Sequence, residues 1–334
     1  MLKRLLFKIH RWAGVALALV MVLWLASGLV IVYAGSLPAS RGEQLAHGQT
    51  LAPEEGWLSL GEAWQRSAEA RKIRNGGTAV LEGRLTRVDG QPVWQVEDER
   101  GQRFALSAID GAVLNFSGPQ AERIAQAWLG QSADVAQVRF VDTQPAYSSL
   151  RNYTALKPFH RVAVDDGAGT EVLVSARSGD VLQVANRWER GLFLAGNWLH
   201  MFRFLDGLGL EDSRRDVLTW AGGLAFAAGL SGLIVGWLVW RPGWGGRATY
   251  SQGRTQPYRA FWFRWHFWSG LIGGTVAVLW AFSGYLVNNP FQLFSAATAS
   301  RDEVARYYDR QLPEVAAQWR PAPWPRPAVP ASWN

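Results

Sequence analysis

Five histidines carry most of the chemistry open to this chain: His10, His47, His160, His200 and His266. Two of them stand in the same sequence frame. Phe7, His10, Trp12, Gly14, Trp24, Ser27 and Gly28 recur at a constant offset of 256 as Phe263, His266, Trp268, Gly270, Trp280, Ser283 and Gly284. Val20, Val22 and Leu23 recur at the same offset as Val276, Val278 and Leu279. Between these residues both copies are almost wholly apolar. Neutral imidazole is a common transition-metal ligand, so two apolar helices that each open on a histidine could clamp one metal cofactor between them.

The elements that must position these residues are membrane spans. Three apolar stretches, about Trp12–Tyr33, Val217–Trp240 and Trp265–Val287, have the roughly 20 residues that a bilayer crossing requires. The 19 tryptophans fit interfacial belts. Lys3, Arg4, Lys8 and Arg11 precede the first span, and Arg241, Arg247, Arg254, Arg259 and Arg264 lie between the second and third, in both cases with no acid. By the positive-inside rule both flanks are cytoplasmic. The segment from Gly35 to Asp212 mixes 22 acidic with 18 basic residues and is expected on the periplasmic side. The net charge of +7 is then a topology signal, and no basic face with interleaved stacking residues suggests nucleic acid. The first apolar run exceeds a signal-peptide core and matches the third span, so it reads as a retained helix.

The expected organisation is a first transmembrane helix over residues 1–34, an exterior α+β domain over 35–188 and an interfacial helix over 189–212. A second span over 213–241, a basic cytoplasmic loop over 242–261, a third span over 262–288 and an exterior Pro/Trp-rich tail over 289–334 follow. The exterior domain repeats. Pro92–Ser107 followed by Asp110-Gly111-Ala-Val-Leu114 resembles Pro158–Ser175 followed by Ser178-Gly179-Asp-Val-Leu182. Each reads as a β-hairpin and a short third strand. Each follows a helical stretch, Leu58–Lys72 and Pro119–Leu129. Chance similarity of two hairpins is the plainer alternative. In the tail, Ser300 to Glu303 has capping-box spacing, and the prolines from Pro321 to Pro330 argue for an extended strap.

At about 100° per residue, His10 shares one helix face with Gly14, Met21, Trp24 and Gly28. His266 likewise shares a face with Gly270, Gly273, Trp280 and Gly284. Glycine one turn from a ligand leaves room for a flat macrocycle or a close helix neighbour. The functional reading is that His10 and His266 ligate one noncovalent b-type haem near the cytoplasmic face, flanked by Gly14 and Gly270. The alternative is that both are interfacial histidines beside Arg11 and Arg264, with the small residues serving ordinary helix packing. His200, in Trp198-Leu-His200-Met201, lies at the outer interface and could ligate a second haem, with His160 or Met201 opposite. A structural histidine in a hairpin is the alternative for His160. His47 lies in a polar loop.

Other chemistries are poorly supported. With no cysteine, disulfides, thiolate zinc sites, Cys-ligated clusters and c-type haem attachment are excluded. There is no Gly-rich phosphate loop before a helix, no HExxH and no carboxylate inside a span.

With Lys8-Ile-His10-Arg11-Trp12-Ala-Gly14, the later Ser27-Gly28, the two Gly-turn strand endings, Trp198-Leu-His200 and the Trp265-His266 to Ser283-Gly284 span, the chain resembles the PepSY-associated transmembrane proteins over most of residues 1–290. The resemblance implies a periplasmic PepSY-like domain on helices of the bacterial inner membrane. It also implies His10, His200 and His266 as haem ligands, an electron path from cytoplasm to periplasm, and an activity like that of the ferric-siderophore reductases in the family. Quinol or a soluble reductase would be the donor and a ferric siderophore the acceptor. Many members have a fourth span, which this sequence lacks. A homodimer or another membrane subunit is therefore expected to help enclose the cofactor. The competing functional reading is a non-enzymatic membrane anchor whose exterior domain binds a peptide or protein.

Overall fold

The structure is a computed structural model that describes residues 1–52, 54–74, 80–130, 137–210 and 212–295, together with Glu303, Arg306 and Tyr307. In chain order the elements are α1 (Leu2–Ala34), α2 (Arg41–Ala46), α3 (Leu60–Arg66), α4 (Ala68–Ile73), β1 (Val80–Val88), β2 (Gln91–Asp98), β3 (Arg103–Ser107) and β4 (Val113–Leu114). There follow α5 (Gly118–Leu129), β5 (Val138–Gln144), β6 (Phe159–Val164), β7 (Glu171–Ser175), β8 (Val181–Ala185), α6 (Arg187–His200), α7 (Arg214–Val239) and α8 (Phe261–Val287). They fall into two units, one built from Met1–Gly35 with Leu192–Thr298 and the other around Ser36–Gly191.

In the first unit α1, α7 and α8 are each long and apolar enough to cross a membrane. The middle one is α7, against which both α1 and α8 pack. Its sequence explains this. Gly222, Ala225, Ala228, Ser231 and Val235 are spaced by three and four residues and are all buried. Small side chains on such a stripe let neighbouring backbones approach closely. At Gly229 a Cβ would stand 2.6 Å from Val278 of α8. The basic loop after α7 folds back on the helix end: Arg247 Nη1 donates to the Trp237 carbonyl at 2.8 Å and Tyr250 Oη to that of Val239 at 2.9 Å. These bonds satisfy carbonyls that a helix C-terminus leaves unpaired.

The helix in the segment expected to be interfacial is shorter than 189–212. α6 begins at Arg187 and stops at His200. Phe202 turns left-handed at φ 48, and a 3-10 turn over Arg203–Leu208 follows. Asp206 in that turn pairs with Arg203 at 3.6 Å and with Arg214 at 3.1 Å.

The second unit holds two four-stranded antiparallel sheets, ordered β1-β2-β3-β4 and β5-β6-β7-β8. Each has one strand more than the expected three, because β1 and β5 precede the hairpins that the alternation marked. Both are edge strands, pairing only with β2 and β6 respectively, and both carry a register shift. Edge strands need little apolar patterning, so their sequences gave a weak signal.

The sheets are closed by matching devices. The hydroxyl of Ser107 accepts from the backbone N–H of Ile109 and Asp110, and that of Ser175 from those of Arg177 and Ser178, at 3.1 to 3.3 Å. Gly111 and Gly179 then turn at φ 80 and 70. A side chain at Gly179 would overlap Val88 and Phe116, so both the turn and the close approach require glycine.

Ser59 and Ser117 start α3 and α5, and Glu62 and Gln120 accept the serine N–H at 2.9 Å in each case, as capping boxes do. The same device starts α2, where Glu43 accepts from the Ser40 N–H at 2.7 Å. The expected helix over Leu58–Lys72 is broken at Ser67 into α3 and α4.

Leu58, Leu60 and Ala63 cover Trp94, Val96, Phe104 and Leu106 of the first sheet. Ala121, Ile124 and Ala125 of α5 meet Val162, Val172 and Val174 of the second sheet together with Val93 and Ala105 of the first. The expected helix start at Ser300 and the proline strap beyond Pro321 lie outside the described residues.

Candidate functional site

The histidines of the membrane unit are placed by helix packing. His10 projects from α1 onto α7, where its Nδ1 lies 3.2 Å from Ser231 Oγ. The serine hydroxyl has one proton, and it donates that proton to the Ala228 carbonyl at 2.7 Å. Toward the ring it can only accept, so the hydrogen-bond network assigns the ring proton of His10 to Nδ1 and leaves the Nε2 lone pair free. Gly232, next in sequence, has no Cβ where the imidazole sits: one built there would stand 2.6 Å from His10 Cε1.

Across from it is His266 of α8, with ring centroids 6.1 Å apart and ring planes 27° from parallel. A metal–imidazole bond is about 2 Å, and adding a ring radius on each side puts centroids roughly 6 Å apart across a shared metal. A Cβ built at Gly14 or Gly270, one turn along from each histidine, meets nothing within 4 Å. The centroid separation thus matches that of two imidazoles on one metal, and there is space beside the pair. Fixing the remote nitrogen of a ligand histidine by a hydrogen bond is the usual outer-shell arrangement at metal sites.

His200 is seated at the other end of α1. Its Nδ1 lies 3.0 Å from the Trp24 carbonyl and 3.3 Å from Ser27 Oγ. Ser27 again spends its proton within the helix, on the Trp24 carbonyl at 2.9 Å. Trp24 Nε1 donates to the His200 carbonyl at 3.0 Å. Burial pulls the His200 pKa below the ordinary imidazole value, against the opposing pull of the Trp24 carbonyl. Its Nε2 is free for a ligand role. Met201, the chain neighbour of His200, is too close in the backbone to stand opposite it across one metal.

His160 belongs to the soluble unit and is buried there. Its Nε2 donates to the Phe116 carbonyl at 2.7 Å, and its Nδ1 accepts from Thr143 Oγ1 at 2.9 Å. Both ring nitrogens are engaged in hydrogen bonds within the unit, and His160 ties β6 to β5 and to the segment after β4. His47 is exposed, stacked on Trp128 with centroids 4.6 Å apart. Among the described residues no group of three or more His, Asp or Glu side chains is arranged to hold a metal ion. The soluble unit also has a cleft of about 200 Å³ lined by Arg41, Arg84 and Arg103. Each is already paired, with Glu82, Asp180 and Glu97 respectively.

The repeated frame singles out His10 and His266, and the segment Trp198-Leu-His200 singles out His200; neither points to Ser231 and Gly232. They stand in α7, which is no copy of the other two spans. Their signal was a small polar pair inside an apolar run. The face drawn from His10 through Trp24 to Gly28 also divides in the structure. Its N-terminal end, with His10, meets α7, and its C-terminal end, with Ser27, meets α6.

The PepSY-associated TM region family matches residues 7–332, nearly the whole chain. The chain therefore belongs to the PepSY-associated transmembrane family. No curated protein and no solved structure matches it.

Proposed function

We propose that this membrane protein binds b-type haem between His10 and His266 and passes electrons outward across a bacterial cytoplasmic membrane. The observation that carries the proposal is the facing pair of imidazoles, 6.1 Å apart on two helices that pack on α7. His10 is tautomerically set to ligate through Nε2, and Gly14 and Gly270 leave open space beside the pair. The haem would supply a one-electron carrier that cycles between ferric and ferrous iron.

The chain's own part is to hold His10 on α7 and to present His266 across from it on α8. At the far end of α1 it seats His200 against Trp24, Ser27 and Gly28. A second haem on His200 would need an axial ligand that neither His160 nor Met201 supplies, so one haem per chain is the reading that the ligand set supports. The Lys/Arg asymmetry supports a cytoplasmic His10 end and a periplasmic two-sheet unit. We read the two sheets as internal copies of one PepSY-like unit, since strand order and Ser/Gly turn devices match. Quinol or a soluble reductase is the donor class, and ferric iron or a ferric siderophore the acceptor class. The clamp leaves α1 and α8 largely uncovered, which suits a homodimer or a further membrane subunit.

The test is the reduced-minus-oxidised spectrum of the purified protein from haem-replete cells. It should show a Soret band and an α-band, and in proteoliposomes reduction from the His10 side should be followed by oxidation by an external ferric chelate. A colourless preparation would overturn the haem reading and favour the anchor. A haem that ferric chelates do not reoxidise would overturn the acceptor class alone.

A further inference from the structure

Two histidines on different helices are seated in the same manner. His10 of α1 lies on Ser231-Gly232 of α7, and His200 of α6 lies on Ser27-Gly28 of α1. In both seats the serine hydroxyl donates to the carbonyl three residues back, at 2.7 and 2.9 Å, and so can only accept from the ring. In both the following glycine gives up the volume of a Cβ to the imidazole. A Cβ built there would stand 2.6 Å from Cε1 of His10 and 3.0 Å from Cε1 of His200. The dipeptide alone does not make the seat. Ser283-Gly284 has the same intrahelical bond at 2.8 Å, and nothing lies within 4 Å of the glycine. What completes the other two is a facing helix that brings a histidine to them.

We infer that Ser231 with Gly232, and Ser27 with Gly28 beside the Trp24 carbonyl, are positioning residues that hold His10 and His200 as Nδ1–H tautomers with Nε2 turned out as the ligand atom. The consequence at a metal rests on the haem reading above; the tautomer does not. A hydroxyl accepting from Nδ1–H raises the basicity of the opposite nitrogen. A more basic ligand stabilises the ferric state, so losing the acceptor should raise the reduction potential. The seats thus tie the electron chemistry at one helix to a dipeptide on its neighbour.

The tautomer is read by ring 15N NMR of the full-length, haem-free protein in detergent, with 15N-labelled histidine. His10 and His200 should appear as Nδ1–H and His160, bonded the other way, as Nε2–H. Gly232→Ala should displace the His10 signals and leave those of His200. Gly236→Ala, one turn further along α7, places its Cβ at an ordinary 3.4 Å from Leu271 and should move neither. In the haem-loaded protein Ser231→Ala should weaken haem retention about tenfold to a hundredfold and raise the midpoint potential, with Ser231→Thr restoring both. An Nε2–H tautomer at His10, or His10 signals indifferent to Gly232→Ala, would overturn the inference. A colourless wild type that still shows the expected tautomers would refute the haem reading and leave the seats standing.

Discussion

Trp24 and His200 are bonded to each other twice, although 176 residues separate them: Trp24 Nε1 donates to the His200 carbonyl and His200 Nδ1 donates to the Trp24 carbonyl, both at 3.0 Å. The indole and imidazole rings also meet, with centroids 5.6 Å apart. The end of α6 is thereby fastened to the C-terminal third of α1. The His200 carbonyl lies in the last turn of α6, where backbone acceptors lack intrahelical partners.

Trp24→Phe keeps the ring and removes the indole donor. The net loss for one such bond is about 1 kcal/mol. Thermal unfolding in detergent should show a destabilisation of that order. Limited proteolysis should cut faster between His200 and Arg214. Unchanged cleavage would mean that the double bond does not fasten α6.

His160 serves the soluble unit. Replacing it with leucine leaves the Phe116 carbonyl without its donor, and an unsatisfied buried polar group costs roughly 1–3 kcal/mol. Chemical denaturation should report a loss in that range, with haem content unchanged. Loss of haem at full stability would restore His160 as a ligand.

Gly179 adopts φ 70 in the turn between β7 and β8, with Val88 against its Cα. Gly179→Ala meets both an unfavourable backbone conformation and a steric overlap. Destabilisation beyond the roughly 1 kcal/mol of a simple glycine effect is expected, read as a shift in the denaturation midpoint of the soluble unit. At Gly130, also at positive φ but with nothing within 4 Å, alanine should cost less.

Asp142 accepts two bonds from Arg161, at 3.0 and 2.8 Å, and this pairing holds its carboxyl below the ordinary carboxylate pKa. A carboxyl depressed in the folded state contributes stability above its unfolded pKa, about 3.9. That contribution is lost as the pH falls through the depressed folded value. Acid unfolding followed by circular dichroism should therefore steepen below about pH 4. Arg161→Met should reduce that dependence on acid.

The sequence made the membrane architecture legible because it is written in long apolar runs, and the hairpins because Ser107, Gly111, Ser175 and Gly179 punctuate clear alternation. It hid β1 and β5, since an edge strand such as Val80–Val88 tolerates Glu82, Arg84 and Arg87 without an apolar stripe. His10 and His266, whose rings lie across from each other, were visible through their repeated frame. Their tautomers were not, because these depend on Ser231 and on which way its single proton points. The engagement of both His160 nitrogens was equally hidden, since Thr143 and Phe116 reach that ring only through sheet pairing and chain return.

The most direct measurement of the central claim is electron paramagnetic resonance of the oxidised, purified protein beside its His10→Ala and His266→Ala variants. The account predicts a low-spin ferric signal of bis-imidazole type in the wild type. Each single variant should convert it to high-spin or lose it, and His160→Leu should leave it intact. A low-spin signal that survives both substitutions would contradict the clamp.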